Sequence, residues 1–234
     1  MHQGLYIVFE GSDFSGKSTL AHLVMEELRD TDLNCILTHH PGSTPLGKHL
    51  RKLVKTPEVF QDGEPIEIDN MSVQMMMMID HSCFVNTKLI PYLEDGGVVL
   101  ADRSNYIGCI VYGVAEGLKL TTINKLLGLV QSPAPDRVFI ISNRWETIVE
   151  RMKKSDRAKS DRYDSNVDLL HHVGELYDNL LKLSPEALMM LSRYAPLEHI
   201  KYLNGDTPAI ELAKTIAQQI KRLASEKVAN TASL

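Results

Sequence analysis

The chain has 234 residues, of which 44% are hydrophobic and 24% are charged. These fractions are typical of a folded globular protein and exclude a disordered or fibrous chain. Its 30 acidic residues outnumber the 25 Lys and Arg, so the formal net charge is −5. A surface that binds nucleic acid normally shows the opposite balance, so no nucleic-acid partner is expected.

The sequence shows no pattern of export or membrane insertion. The N-terminus lacks a basic segment followed by an apolar one, and the long apolar stretches are interrupted, for example by Asp80 and His81. The three cysteines are widely spaced, as expected of reduced thiols. We therefore expect a cytoplasmic protein that has no membrane partner.

Short apolar segments alternate with helical patterns along the chain. The predicted strands cover residues 5–10, 34–38, 98–101, 137–142 and 199–203. The predicted helices cover residues 17–29, 44–55, 65–93 with a break near Pro91, 106–116, 122–131, a segment starting at Trp145, 166–183, 185–194 and 208–223. The tail after Glu226 is expected to fray. Apolar strands separated by helices predict an α/β fold with a five-stranded, doubly wound parallel sheet, forming a single domain over residues 1–234.

A phosphate-binding motif lies between the first predicted strand and the first predicted helix. Residues 11–18 (GSDFSGKS) fit the pattern G-x-x-x-x-G-K-[ST] in the strand–helix context that it requires. The glycines allow backbone N–H groups to point at phosphates, Lys17 would reach the β- and γ-phosphates, and Ser18 would bind Mg²⁺. The predicted ATP-binding residues are Gly11, Ser15, Gly16, Lys17, Ser18 and Thr19. The motif predicts a P-loop NTPase fold.

Two further segments define the kind of P-loop protein. The apolar strand at 98–101 is followed by Asp102, which with Ser18 would hold Mg²⁺. The guanine-reading Asn-Lys-x-Asp of a GTPase is missing from residues 142–146. Residues 151–163 instead carry six Lys or Arg and two Asp, which predicts a basic lid over about 151–165. Such a lid would stabilise the transferring phosphoryl group and exclude water, as in a kinase.

The ordered set of motifs resembles the thymidylate kinase family over about residues 5 to 220. The set consists of the loop at 9–19, the segments 41–44 and 50–51, the pair Asp102-Arg103, and residues 161–164. The resemblance implies transfer of the γ-phosphoryl group of ATP to a deoxynucleoside monophosphate, with dTMP giving dTDP as the first expectation. It also implies a homodimer packed through the long helices. A kinase for another base and a non-catalytic nucleotide sensor are the alternatives.

The resemblance also implies roles for residues around the acceptor. Asp13 would face the sugar of the monophosphate, Arg51 and Arg103 would hold its phosphate, and Tyr163 would pack beside its sugar. Asp102 would organise Mg²⁺ and its waters. The lid would supply the cation that stabilises the transition state, because Phe14 stands where one branch of the family has an Arg. The expected lid cation is Arg157, with Lys153, Lys154 or Lys159 as substitutes; the predicted catalytic residues are Lys17, Asp102, Arg103 and Arg157.

The base-reading positions depart from the family pattern. Met77 and His81 stand where the family usually has a stacking Phe and an Arg, and Tyr112 stands near the position of a Gln. The phosphate-handling residues are intact, so these three residues are predicted to contact an altered base. A modified pyrimidine or a broader range of deoxynucleoside monophosphates is therefore an alternative to dTMP.

Overall fold

The computed structural model describes residues 3–55, 59–61, 64–66, 68–155 and 166–231. The strands are β1 Leu5–Glu10, β2 Cys35–His39, β3 Val59–Gln61, β4 Glu64–Ile66, β5 Val98–Asp102, β6 Arg137–Ser142 and β7 Ile200–Asn204. The α-helices are α1 Lys17–Leu28, α2 Pro45–Lys55, α3 Asn70–Phe84, α4 Ile90–Glu94, α5 Asn105–Ala115, α6 Leu120–Leu127, α7 Trp145–Lys153, α8 Val167–Asp178, α9 Pro185–Tyr194 and α10 Ala209–Thr231. A π-helical turn covers Val85–Leu89, and 3₁₀ turns cover Leu180–Lys182 and Leu197–His199.

Five strands form one parallel sheet in the order β2-β5-β1-β6-β7. The predicted α/β fold with a five-stranded parallel sheet is confirmed. The register pairs Asp102 with Phe9 on one side and with His39 on the other. The carboxyl ends of β1, β2 and β5 therefore meet at one edge of the sheet, where ligands bind in open α/β folds. The hairpin β3–β4 is separate and antiparallel.

Two apolar layers cover the faces of the sheet. On one face Leu20 and Val24 of α1 pack with Ile216 and Ile220 of α10, and all four side chains are buried. The other face is covered by buried side chains from α3, α5, α8, α9 and the π-helical turn. A strand buried on both faces is apolar throughout, which explains the uninterrupted apolar runs in the sequence.

The predicted helix over 65–93 is wrong at its start, and the break expected near Pro91 is a π-helical turn within one continuous helical run. Residues 64–66 form β4, and α3 begins only at Asn70, because the Asp69 carboxylate caps it by accepting the Ser72 N–H at 2.9 Å. After α3 the helical hydrogen-bond pattern widens to a π-helical turn at Val85–Leu89, which continues directly into α4. Pro91 itself lies in the first turn of α4, where its missing N–H costs little.

The C-terminal helix is longer than predicted. Fraying was expected after Glu226, but α10 continues to Thr231. The Lys227 ammonium donates to the carbonyl of Gly4 at 2.6 Å and to the Asp136 carboxylate at 2.8 Å. This contact fastens the last turns of α10 to the start of β1. Among the described residues, no helix combines the length and the apolar character needed to span a membrane.

Candidate active site

The phosphate loop connects β1 to α1 and is built on left-handed backbone. Gly11 has φ +142° and Gly16 has φ +93°, and a Cβ at Gly11 would lie 2.7 Å from the carbonyl oxygen of Ile141. Glycine is therefore required at position 11 for conformation and for space. Phe14 also adopts a positive φ, of +62°. The loop lines a pocket of about 620 Å³, together with Lys17, Ser18 and Thr19.

Ser18 and Asp102 meet beside this pocket, as the sequence predicts. The Ser18 hydroxyl donates to the Asp102 carboxylate at 2.5 Å, and the second carboxylate oxygen is buried without a hydrogen-bond partner among the described residues. No group of three His, Cys, Asp or Glu that could hold a metal occurs in those residues. One carboxylate and one hydroxyl are a donor set that fits Mg²⁺, which keeps most of its waters and takes phosphate oxygens.

Arg151 of α7 holds the phosphate loop through backbone carbonyl groups. Its guanidinium donates to the carbonyl oxygens of Phe14 at 3.2 Å, Ser15 at 2.7 Å and Gly205 at 3.2 Å. It lines both the phosphate-loop pocket and a pocket of about 820 Å³ at the β7–α10 connection. The sequence places Arg151 at the start of a lid. In the structure it lies in the last turn of α7 and joins two neighbouring pockets.

Arg103 follows β5 and lies at the centre of a polar cluster. Its guanidinium donates to Asp13 at 2.7 Å, to the Gly11 carbonyl at 2.9 Å and to the hydroxyls of Tyr177 at 3.0 Å and Tyr112 at 3.2 Å. Its backbone is left-handed, with φ +74°. Because four partners fix the guanidinium, its position is set before any ligand binds.

Two members of this cluster, Glu10 and Tyr177, were missed by the sequence analysis. The Glu10 carboxylate is fully buried and accepts from the Tyr177 hydroxyl at 2.8 Å and from the Ser104 N–H at 2.6 Å. Burial raises the pKa of Glu10, against the opposing effects of Arg103 and these two hydrogen bonds. Neither residue has a motif of its own: Glu10 is the last residue of a predicted strand, and Tyr177 lies inside a predicted helix.

The charges around Asp13 shift the titration of their neighbours. Burial by itself would raise the pKa of Asp13, but the positive charges of Arg103 and Lys17 and the hydrogen bonds it accepts hold it below its usual range. Burial and the charge of Arg103 lower the pKa of Lys17, whose ammonium lies 3.3 Å from Asp13. Asp13 therefore stays ionised and keeps two cations at the boundary between two pockets.

A second cleft, here called the acceptor cleft, opens between α2, α3 and α5 and holds about 700 Å³ when the solvent at its mouth is counted. The residues that line it are Asp13, His40, Pro41, Arg51, Val54, Lys55, Val73, Gln74, Met77, Arg103, Ser104, Asn105, Gly108 and Tyr112. Five of the predicted acceptor residues thus meet in one cleft: Asp13, Arg51, Met77, Arg103 and Tyr112. The Tyr112 hydroxyl donates to Asp13 at 2.8 Å, so this residue contacts the same carboxylate as Arg103.

Of the predicted acceptor residues that the structure describes, His81 is the one that does not line this cleft. Its side chain is fully buried, its ring lies 4.4 Å from the ring of Tyr106, and burial lowers its pKa to about 3. The neighbouring Asp80 faces the cleft wall instead. It accepts from the Gly42 N–H at 3.4 Å and from Asn105 at 3.3 Å, and lies 3.5 Å from His40. Asp80 was not singled out by the sequence analysis.

Part of the predicted lid lies outside the described residues. Arg157, Lys159 and Tyr163 are in this part, so their roles stay predictions. Of the substitutes for Arg157, Lys154 is exposed and pairs with Glu150 at 2.5 Å. Lys153, in the last turn of α7, is also exposed.

A phosphate loop beside a Ser–Asp pair, next to a second cleft that carries two arginines, defines a P-loop kinase for a phosphorylated acceptor. The sequence comparisons give the particular family. The thymidylate kinase family model matches residues 9–203, and the chain belongs to that family. The predicted family is therefore confirmed, and the chain is an ATP-dependent nucleoside monophosphate kinase that converts dTMP to dTDP.

Individual relatives cover most of the chain. The thymidylate kinase of Caldicellulosiruptor saccharolyticus is 31% identical over 166 residues, which cover 69% of this chain and 77% of the relative. That of Legionella pneumophila strain Corby is 28% identical over 200 residues, or 85% and 91% of the two chains. A probable thymidylate kinase of Thermococcus kodakarensis is 33% identical over 184 residues, or 78% and 86%.

Proposed function

We propose that this chain transfers the γ-phosphoryl group of ATP directly to the phosphate of dTMP bound in the acceptor cleft. The observation that carries the assignment is the position of Asp13, which lines both the phosphate-loop pocket and the acceptor cleft. The donor and acceptor phosphates then meet at one boundary, as in-line transfer requires. The whole chain would act as a single kinase domain, and its three free thiols agree with a reducing, cytoplasmic setting.

The donor side is assigned from the phosphate loop. Backbone N–H groups of the loop and the α1 N-terminus would bind the phosphates, and Lys17 would bridge the β- and γ-phosphates. The pocket shared by Arg151 and the β7–α10 connection would take the rest of ATP. Ser18 and Asp102 would hold Mg²⁺ directly or through water. A bound Mg²⁺ neutralises part of the phosphate charge. Arg157 remains the proposed transition-state cation, and closure of the lid would exclude water.

The acceptor side is assigned from the acceptor cleft. Arg51 and Arg103 would bind the phosphate of dTMP and reduce its repulsion from ATP. Asp13 and Tyr112, joined by a hydrogen bond of 2.8 Å, would face the sugar. Tyr163 would pack beside that sugar. Met77 would pack on the base, since a flexible thioether fills an irregular apolar space well.

The substitution Arg51→Ala tests this assignment in a coupled assay of ADP formation with ATP and dTMP. We expect dTMP-dependent ADP formation by the unaltered chain. The variant should raise the KM for dTMP tenfold or more, because it loses a charge-assisted hydrogen bond of about 1.5–3 kcal/mol. The KM for ATP should change little. Lys48→Ala, an exposed cation on the same helix that does not line the cleft, serves as the matched control.

Two results would contradict the assignment. ATP binding without ADP formation on addition of dTMP would identify a nucleotide sensor and not a kinase. An unchanged KM for dTMP in Arg51→Ala would mean that the acceptor phosphate binds elsewhere.

We further propose that two copies of the chain associate through α3. Met75 and Ile79 lie one turn apart on this helix and are 51% and 50% exposed. A contiguous apolar face of this kind is commonly buried against a partner. We expect a dimer in sedimentation velocity at micromolar concentration, and a monomer for Ile79→Glu. Val228→Glu, at an exposed position of α10, should stay dimeric; a monomeric unaltered chain would refute the proposal.

A further inference from the structure

The acceptor cleft carries two buried amide side chains that the assignments above do not use. Gln74 of α3 and Asn105 of α5 both line the cleft and are 2% and 1% exposed. Buried amides normally satisfy both their donor and their acceptor atoms. Within the part of the chain that the structure describes, the donor of each amide is satisfied and the acceptor is not.

The hydrogen-bond network fixes which end of each amide is the oxygen. The Gln74 NH₂ donates to the Glu116 carboxylate at 3.4 Å, and the Asn105 NH₂ donates to the Met77 carbonyl at 3.0 Å and to the Asp80 carboxylate at 3.3 Å. Carboxylate and carbonyl oxygens only accept, so a flipped amide would set oxygen against oxygen. Gln74 Oε1 and Asn105 Oδ1 are therefore left as acceptors.

Neither oxygen has a hydrogen-bond partner among the described residues. A buried acceptor without a donor is unfavourable, and it points to a ligand that brings the donor. Both oxygens are covered from solvent, but their residues line the acceptor cleft, so a bound nucleotide that displaces a flexible side chain of the wall can supply the donor. The cations Arg51 and Arg103 take its phosphate, which leaves the base for the amides of α3 and α5.

Thymine matches this wall poorly. Its edge offers one N–H donor between two carbonyl acceptors, whereas the wall offers two acceptors. The Gln74 and Asn105 amide N–H groups and the Tyr112 hydroxyl already donate to protein oxygens. The His40 ring, which has no hydrogen-bond partner among the described residues, can serve a carbonyl of the base but not the second free amide oxygen when it donates to the base. His81, which stands where the family has its base-reading Arg, lies outside the cleft. A base with a second donor would satisfy both free acceptors.

The cleft also has room for such a group. Gly108 of α5 lines the cleft, and apart from its own stretch of α5 no heavy atom of the described residues lies within 4 Å of the position that its Cβ would take. Met77, on the facing helix, has a flexible side chain that can move aside. The wall therefore combines free space with free acceptors.

We propose that the acceptor site also takes deoxynucleoside monophosphates whose pyrimidine carries a second hydrogen-bond donor, with Gln74 and Asn105 as the residues that read it. The second donor is a hydroxyl on a C5 substituent, which adds to the N3–H, or the second N–H of an amino group at C4, whose two hydrogens replace the single N3–H; both present a hydrogen-bond donor to an amide oxygen. The inference rests on the proposed kinase function and extends its substrate class. The chemical step is unchanged: the acceptor phosphate attacks the γ-phosphorus, and ADP leaves.

The test is kcat/KM for dTMP, dUMP, dCMP, 5-hydroxymethyl-dUMP and 5-hydroxymethyl-dCMP with the full-length chain. At least one donor-bearing nucleotide should reach or exceed the value for dTMP. The amino and hydroxyl sources are separated by dCMP and 5-hydroxymethyl-dUMP. Gln74→Leu should lower kcat/KM for the preferred donor-bearing nucleotide about tenfold or more while changing that for dTMP less than about threefold.

Gln218→Leu makes the same chemical change at an exposed site on α10 and should leave kcat/KM for every nucleotide, relative to dTMP, unchanged. A preference of more than a hundredfold for dTMP over all donor-bearing nucleotides would overturn the inference while leaving the kinase function intact. Equal losses for all nucleotides in Gln74→Leu would also overturn it. Failure to phosphorylate any of them would overturn the proposed function itself. If Gln74→Leu folds poorly, the values of kcat/KM for the five nucleotides with the unaltered chain still test the inference.

Discussion

Lys17→Ala should lower kcat by about a thousandfold or more, a loss of about 4 kcal/mol of transition-state stabilisation. The Lys17 ammonium is buried at the phosphate loop, where it donates to the Ser12 carbonyl at 3.2 Å and lies 3.3 Å from Asp13. Without it, the charge that develops on the γ-phosphoryl oxygens loses its nearest fixed cation. Steady-state kinetics with saturating ATP and dTMP measure the effect.

The fold should survive this change, because Asp13 keeps its contact with Arg103 at 2.7 Å. Circular dichroism and thermal unfolding check this directly. Lys214→Ala removes an exposed lysine from α10 and provides the control, with kcat within about twofold of the unaltered chain. If Lys17→Ala kept a tenth or more of kcat, Lys17 would not have the assigned role.

Arg103→Ala should be the most damaging single change to both activity and stability. It leaves the buried Glu10 and the ionised Asp13 without the guanidinium that faces them at 3.9 Å and 2.7 Å. Asp13 keeps Lys17 at 3.3 Å, but Glu10 loses the cation that faces its buried carboxylate. Removing one partner of a buried ion pair costs about 3–5 kcal/mol of the free energy of unfolding. The acceptor phosphate would also lose one of the two cations proposed to bind it. Denaturant unfolding and the kinetics of dTMP phosphorylation measure the two losses separately.

The stability loss in Arg103→Ala should depend on pH with a definite sign. In the unaltered chain the pKa of Asp13 is depressed, so its contribution to stability is present at neutral pH and is lost as the pH falls through the folded-state pKa. The variant removes the largest favourable cause of that depression, so the difference between the two proteins should be full at pH 7, nearly full at pH 4, and smaller only as the pH falls toward about 2, below the unfolded pKa of about 3.9. A constant difference would show that the loss comes from packing alone.

Two controls sharpen this experiment. Arg103→Lys keeps a charge but loses the planar guanidinium that reaches Asp13, Gly11 and the two tyrosines. Its free energy of unfolding and its activity should therefore lie between those of Arg103→Ala and of the unaltered chain. Arg222→Ala breaks an exposed ion pair with Glu226, and its cost should stay below about 1 kcal/mol.

The sequence predicts well those parts of the molecule whose cause is local. The apolar run at β1 and the glycine-rich loop after it are adjacent in the chain. The strand is apolar because it is buried, and the loop contains glycines because its backbone adopts positive φ. Pro185–Tyr194 is predicted at its observed bounds, because Ser184 caps it and Pro185 starts it. The same local rules place Asp102 at the end of an apolar strand. The pairing of β5 with β1 then brings Asp102 next to the loop.

The parts that were missed depend on contacts between distant segments. Tyr177 reaches Glu10 across 167 positions of the chain, and neither residue has a motif of its own. Asp80 lies one residue before His81 in the same helix, yet it faces Gly42 and Asn105 while His81 faces Tyr106. The family pattern suggested a base contact at position 81, but helix α3 turns that side chain into the protein interior.

The double position of Asp13 has a thermodynamic consequence for the two nucleotides. Its carboxylate contacts Lys17, which faces the donor pocket, and Arg103, which faces the acceptor cleft. A phosphate that draws either cation away changes the field at the other, so the two binding equilibria are linked through one carboxylate. Linkage is reciprocal: whatever factor ATP applies to the affinity for the monophosphate, the monophosphate applies to the affinity for ATP.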